Sequence, residues 1–453
     1  MTDTADALAE QWNALGRQHA AEVQARLARF HRGEVEDPEL PADPRDAAMA
    51  NQVLHAVTVM NQQGRWREAR GRFDPAHAPF IPHLGKEGLP FVIALGPDEA
   101  LFRRGSCYQA GHLWHVCGEK LTPLPTLIAA AISPDRSRLA VADTGGVRIF
   151  LGWGGAEVAR LPWPSSEQMV PAWVPSALRS RYDVEPPEKN LKTLCVSNSG
   201  LRVAVANGNG VLVGTVREGG PSWRLAMPFD DEPDDFIMES LDEDSAGFSA
   251  DMVHVALSGD GRFLACGTQC DGHHLLALDD DGRASRWAQV GHLSEYPHHA
   301  CFSHDARWVA LNSCHFYHGA TIAADVSALQ GATTEAYQPD PRAREINSYL
   351  RVYAATWLPR GALPTGQPAF ALAGASVLTL VTPEGAVQGE LMFGSSASGI
   401  DYCPASRTLV LGSYSGFLHF LDLSMTDPNA PGWQPPRETK RWCFLPDRAP
   451  LQW

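Results

Sequence analysis

Residues 253–283 read VHVALSGDGRFLACGTQCDGHHLLALDDDGR, and this stretch decides the fold. An apolar run of strand length leads into the polar turn Ser258-Gly259-Asp260-Gly261. A second apolar run follows, then a Gly-bearing turn at Asp271-Gly272, then a third apolar run closed by acids. Short apolar runs bounded by Gly, Asp and Ser are the signature of successive antiparallel strands joined by tight turns. The next unit, HACFSHDARWVALNSCHFYHGATIAADVSAL at 299–329, repeats the order of parts, and so do 129–153, 193–216 and 398–424. Two weaker copies, 89–119 and 353–393, bring the number to seven. A unit of three or four strands cannot bury both faces alone, so such repeats are stable only when stacked on their neighbours.

The spacing between units is uneven. Insertions stand before the third and fourth, at Pro164 to Asn190, rich in Pro and Trp, and at Pro228 to Asp251, rich in acid. Upstream of Leu89 the period changes. Leu8, Trp12, Leu15, Val23, Leu27 and Phe30 recur at helical spacing, Gly33 to Pro44 breaks the pattern, and Arg45 to Gln62 resumes it with Val53, Leu54, Val57 and Met60. The expected organisation is a helical segment at 1–70, the repeat body at 71–427 and a Pro/Trp-rich tail at 428–453. A strand from about Arg72 to Pro82, or else the tail after Thr426, is expected to complete the last unit. Trp433, Trp442, Phe444 and Trp453 make the tail too aromatic for an inert linker, so it either packs back on the body or anchors a partner.

Composition narrows the function. With 37 Lys+Arg against 52 Asp+Glu the net charge is -15, which disfavours nucleic acid and anionic lipid surfaces as partners. No apolar run approaches the length of a membrane span, and the first residues lack the basic and apolar regions of a signal peptide, so a cytoplasmic location is expected. Nine cysteines in a chain of this size fit reduced thiols better than a disulfide framework. Ten acids and no Lys or Arg lie between Asp230 and Asp251, so much of the excess charge belongs to one insertion. That stretch reads as a solvated loop or as a docking element for a basic partner. It lacks the sixth-position Gly and the oxygen-ligand alternation of a calcium loop.

The repeats resemble the WD40 family of β-propellers. The family's strand-turn signature stands here as Ser133-Pro134-Asp135, Ser258-Gly259-Asp260-Gly261 and Ser303-His304-Asp305, its Gly-His dipeptide as Gly291-His292, and its strand-ending acid as Asp279, Asp325 and Asp422. The chain departs from the family in having no Trp-Asp dipeptide, and Gly111-His112 and Gly272-His273 fall out of register. The resemblance implies an all-β fold, a seven-bladed β-propeller with an N-terminal α-helical extension. It also implies a non-enzymatic scaffold that holds another protein or peptide.

One cluster offers a chemical alternative. Nine of the 17 histidines and four of the nine cysteines lie between His254 and His318. Aligning the units on Ser258 and Ser303 sets His254 opposite His299, Cys270 opposite His315 and His273 opposite His318. In a propeller of this kind those turns share one face. Cys270, His273, His274, His298, His299, Cys314, His315 and His318 are therefore the candidate ligands for one transition-metal ion, Zn, Cu or Fe. Against this, the spacing matches no known zinc motif, His292 reads as a structural histidine of its Gly-His dipeptide, and Cys266 and Cys301 lie within apolar runs. A third reading is an effector-neutralising partner that presents the acidic insertion to a basic site. Asn207-Gly208-Asn209-Gly210 is a hairpin turn, since no helix follows it, and Gly412-Ser413-Tyr414-Ser415-Gly416 has Tyr where a nucleophile elbow needs Ser. The sequence leaves oligomeric state open.

Overall fold

Seven antiparallel sheets form a closed ring in the computed structural model, which describes residues 2–453 except 75–87, 106–110, 190, 230–237, 240, 242–246, 248–251, 270–271, 317, 339, 375, 394, 426–434 and 446–447. In chain order, blade 1 comprises Gly88–Ala94, Glu99–Gly105, Leu113–Cys117 and Lys120–Leu124. Blade 2 comprises Ala129–Ile132, Leu139–Asp143, Gly146–Phe150 and Glu157–Pro162. Blade 3 comprises Thr193–Val196, Arg202–Asn207, Gly210–Thr215 and Ser222–Met227, and blade 4 His254–Leu257, Phe263–Gly267, His273–Leu278 and Ala284–Val290. Blade 5 comprises Tyr296–Phe302, Trp308–His315, His318–Asp325 and Ala343–Asn347, and blade 6 Val352–Leu358, Ala369–Gly374, Val377–Val381 and Val387–Met392. Blade 7 has a fifth strand: Ala397–Cys403, Thr408–Ser413, Phe417–Asp422, Arg437–Cys443 and Leu451–Gln452. Every sheet runs outward from its first strand in chain order, and the first strands line the central channel.

This is the all-β seven-bladed propeller implied by the WD40-like turns. Its core is seven inter-blade layers, each built from apolar side chains of two neighbouring sheets, such as Ile93, Leu101 and Leu113 of blade 1 against Ala130, Leu139 and Val141 of blade 2.

Of the two expected ways to complete the last blade, the tail supplies the strands. Arg437–Cys443 and Leu451–Gln452 belong to blade 7, so the propeller crosses the boundary read at 427, and residues 75–82 of the alternative strand lie outside the described residues. Among the described residues no strand is shared between the two ends of the ring. Blades 7 and 1 meet through side chains, with Leu89, Val92 and Phe102 packed on Val410, Phe420, Trp442 and Phe444. Hydrogen bonds that cross this seam include Ala94 N donating to Asp401 Oδ2 at 2.8 Å, Ser398 Oγ donating to Leu89 O at 2.8 Å, and Lys440 Nζ donating to Gly118 O. The sheets approach closely enough here that a Cβ on Gly412 would lie 2.7 Å from Leu89 O.

The N-terminal helices strap the outside of the ring. Helix α1 spans Thr2–His31, α2 Ala47–Gln62 and α3 Trp66–Arg72. The first two match the periodic pattern; α3 straddles the boundary read at 70. Asp46 caps α2 by accepting from Met49 N at 2.7 Å. Trp12, Val53, Leu54, Phe73, Phe417 and Trp453 share one apolar layer, joining the helices to blade 7. Trp453 Nε1 donates to Phe73 O at 3.0 Å, and Asn61 pairs with Gln452 in both directions at 2.8 and 2.9 Å. Farther along α1, Val23 and Leu27 pack with Ile346, Tyr349 and Val352 of blades 5 and 6. Among the described residues no helix is long and apolar enough to cross a membrane.

Candidate functional site

The strands connect on two faces of the disc. On one, the turn face, the first strand of each blade turns into the second. On the other, the hairpin face, the second turns into the third, and the loops between blades emerge beside those hairpins.

The turn face spends its polar groups on itself. Ser133, Ser258 and Ser303 are fully buried, and each donates to an Asp two residues on (Asp135, Asp260, Asp305) at 2.6 Å. Each serine hydroxyl also accepts a backbone N–H five residues on, from Arg138, Phe263 and Trp308, at 3.0, 2.9 and 2.8 Å. Burial opposes ionisation of Asp135 and Asp260, but the hydrogen bonds from Ser133 and Ser137, and from Ser258 and Arg262, outweigh it and hold both carboxyls below the ordinary range.

Apart from His304, which sits in the turn after Ser303, the histidines of blades 4 and 5 lie on the hairpin face. His254 begins the first strand of blade 4, and His273 and His274 begin its third. Both His254 and His273 pair in register with Gly267 on the strand between them. With no side chain at that position, the two imidazoles meet across the sheet, His254 Nε2 to His273 Nδ1 at 3.2 Å, with ring centroids 5.2 Å apart. A Cβ on Gly267 would lie 2.8 Å from His254 Cε1 and 2.1 Å from Gly272 O. Blade 5 fills the equivalent place differently. Asn312 stands opposite His299 and donates to Ala320 O and Thr321 Oγ1 at 3.0 and 2.9 Å. A bulge between Pro297 and His299 brings both His298 and His299 toward the cluster. His298 meets Tyr353 at 5.5 Å, Tyr353 meets Tyr414 at 5.2 Å, and His274 meets Phe229 at 4.8 Å.

Four of these imidazoles, His254, His273, His298 and His299, are held in the neutral form. Burial, then the like charge of His299 and His274, pushes His254 down to about 3, and burial pushes His299 down to about 4. Burial also holds His273 and His298 well below the ordinary value, with His254 and Arg351 respectively adding repulsion. Among the described residues no carboxylate offsets the burial of these four. Two neutral imidazoles in contact carry two protons on four nitrogens, so the outward nitrogens, His254 Nδ1 and His273 Nε2, make one buried donor and one buried acceptor. Neither has a hydrogen bond of good geometry. The Nε2 atoms of His298 and His299 are likewise buried without one.

The eight candidate ligands fall into separate places. His273, His274, His298 and His299 share the cluster with His254, which the ligand set omitted. Cys314 is fully buried in the second strand of blade 5, where burial raises its thiol. His315 and His318 face each other at the tip of the blade 5 hairpin, where His315 Nδ1 meets Glu295 Oε2 at 2.6 Å and His318 Nδ1 meets Asp37 Oδ2 at 3.9 Å. Cys270 lies outside the described residues. The alignment of His273 with His318 does not hold in space. The residue level with Gly267 in blade 5 is Asn312, whose partner is Thr321, because the blade 5 hairpin runs further before it turns. Among the described residues no three His, Cys, Asp or Glu side chains are grouped to hold a metal ion. Gly267 was missed, and its signal was a lone Gly between two histidine-bearing runs.

Below the cluster the central channel encloses about 260 Å³. His299, Cys195 and Cys301 are among its lining residues, and toward the turn face Arg136 and Asp401 pair at 2.6 Å. Beside the cluster the two insertions build a small apolar knot of Val170, Val174, Tyr182 and Leu241. Trp173 Nε1 ties it to Phe229 O at 3.0 Å and Arg181 to Leu241 O at 2.9 Å. Most of the acidic insertion lies outside the described residues, but it leaves after Phe229 and returns by Met252, both on this face.

No family model matches the sequence, and no curated protein is significantly similar to it. Solved structures similar to the chain include the hydrazine synthase of Kuenenia stuttgartiensis, at 14% identity and a TM-score of 0.39, covering 67% of this chain and 78% of that one. The β-propeller domain of Cps50 (Swd1) from Myceliophteria thermophila is similar at 12% identity and a TM-score of 0.39, over 74% and 96% of the two chains. KlHsv2 with loop 6CD replaced by a Gly-Ser linker is similar at 9% identity and a TM-score of 0.41, over 78% and 98%. Likenesses this distant carry nothing about activity or partners.

Proposed function

We propose that this propeller is a non-enzymatic scaffold that holds another protein or peptide on its hairpin face. The observation that supports the reading is the contrast between faces: the serine and aspartate side chains of the turn face are consumed by its own turns, whereas the insertions and the histidine and tyrosine side chains gather on the hairpin face. Propellers commonly serve in this way, as platforms whose loops are read by partners. The test is affinity capture with the full chain and two variants. Arg351→Glu with Tyr353→Ala alters the hairpin face, and Arg262→Glu with Arg307→Glu alters the turn face. A partner held by the wild type and the turn-face variant but lost by the hairpin-face variant is expected. Loss from the turn-face variant alone, or no stoichiometric partner at all, overturns the reading.

A second reading, a Zn, Cu or Fe protein, draws support from the Nε2 atoms of His298 and His299, which are buried without a hydrogen bond. Elemental analysis of protein purified without chelators decides it. About one equivalent of metal, lost on His273→Ala with His299→Ala, supports that reading, and metal-free protein rejects it.

A further inference from the structure

Over blades 4 and 5 the rim of the hairpin face carries a stripe of rings. Phe316 meets His315 edge-on with centroids 4.5 Å apart, and His315 lies parallel to Tyr296 at 6.3 Å. Tyr337 follows, close enough to Tyr296 for the two phenols to interact electrostatically, and it packs on His292 at 5.6 Å. Phe316 is 64% exposed and Tyr337 58%, the two most exposed large hydrophobic side chains among the described residues. Both also hold backbone in the left-handed region, with φ of 50° and 61°. A bulky residue there is strained, and an apolar ring in water gains nothing from burial. Glycine or asparagine would relieve both costs at either position.

The charge around the stripe is acidic. Glu295 sits within it, its carboxylate hydrogen-bonded by His315 and by the Tyr296 hydroxyl, yet 39% exposed. Glu335, two residues before Tyr337, is exposed, as is Asp37 beside His318. The one guanidinium shown touching the stripe, Arg351, is engaged: its Nη1 donates to Phe316 O at 2.5 Å and its plane lies over Tyr353 at 4.8 Å. Aromatic faces combined with carboxylates attract cations: the ring quadrupole favours a guanidinium or ammonium, and the carboxylate supplies its counter-charge.

We infer that this stripe docks a basic peptide segment of the partner, an arginine or lysine side chain lying against Phe316 and Tyr337 with Glu295 as its ion-pair partner. The inference rests on the scaffold reading and gives its partner a chemistry. The experiment is selection of a random dodecapeptide phage library on the full chain, followed by titration of the enriched peptides against Phe316→Ser with Tyr337→Ser and against Glu295→Gln. Thermal melts of both variants check that the fold is kept. Enriched peptides should carry Arg or Lys, bind about tenfold or more weakly to both variants, and weaken as salt is raised. Enrichment without basic residues, no enrichment, or basic peptides indifferent to both variants overturns the docking site. A partner captured by the hairpin face yet indifferent to Phe316 and Tyr337 leaves the scaffold standing and removes only the stripe.

Discussion

The turn face and the hairpin face connect the same strands with opposite chemistry. On the turn face one device is repeated in blades 2, 4 and 5, a buried serine that donates to aspartate and accepts a returning N–H. On the hairpin face blades 4 and 5 differ. Blade 4 leaves a glycine beneath two imidazoles where blade 5 inserts an asparagine network, and four histidines have no counter-ion among the described residues. The irregular face keeps buried polar groups that a purely structural design would satisfy or remove.

The largest expected difference between the faces lies in their response to acid. His254 and His299 have folded values near 3 and 4, below the unfolded value of about 6.5. The unfolded chain therefore binds more protons below that pH. Stability is complete above it and is lost progressively as pH falls toward 4. By pH 5 each of the two costs about 2 kcal/mol, and His273 and His298 act in the same direction. Asp135 and Asp260 are depressed carboxyls, whose contribution is present above about pH 4 and lost only below it. Urea midpoints measured from pH 7.5 to 4.5 should fall steeply for the wild type and much less for His254→Gln with His299→Gln. Parallel slopes would remove the uncompensated cluster from the account.

Gly267→Val comes next. Its Cβ would meet Gly272 O and His254 Cε1 inside ordinary contact distance, and the branched side chain would part the two imidazoles. A loss of roughly 2–4 kcal/mol is expected from equilibrium unfolding, and unchanged stability would show that the imidazoles do not need the gap. The smallest effect is on the turn face. Ser303→Ala removes one hydroxyl and its two hydrogen bonds and should cost about 1–2 kcal/mol, with no change in the acid profile between pH 7.5 and 5.

The blades were legible because their signals are local. Ser258, Asp260 and the apolar runs around them specify a turn and two strands without reference to anything distant, and the three Ser-x-Asp turns form the same bonds in space. The histidine cluster was half legible. Counting residues from Ser258 and Ser303 correctly set His254 level with His299. The count failed beyond the hairpin, since the blade 5 hairpin extends past its neighbour and carries His315 and His318 out to the rim. Ring closure was open between two strands because it depends on which distant surfaces fit. Leu89 meets Phe420, and Trp12 meets Trp453, through packing that no periodicity announces. Helix α3 escaped notice because seven residues with one buried alanine make too short a pattern.

The seam between blades 7 and 1 bears on synthesis. Among the described residues each blade is one uninterrupted run of chain, so each can complete its own ladder as it leaves the ribosome. The exception is the strap. Trp12, Val53 and Phe73 are made first, and their apolar layer is finished only by Phe417 and Trp453. Until blade 7 has been synthesised, the nascent protein carries an uncovered greasy surface at its leading end, which is where chaperone capture and misassembly would concentrate.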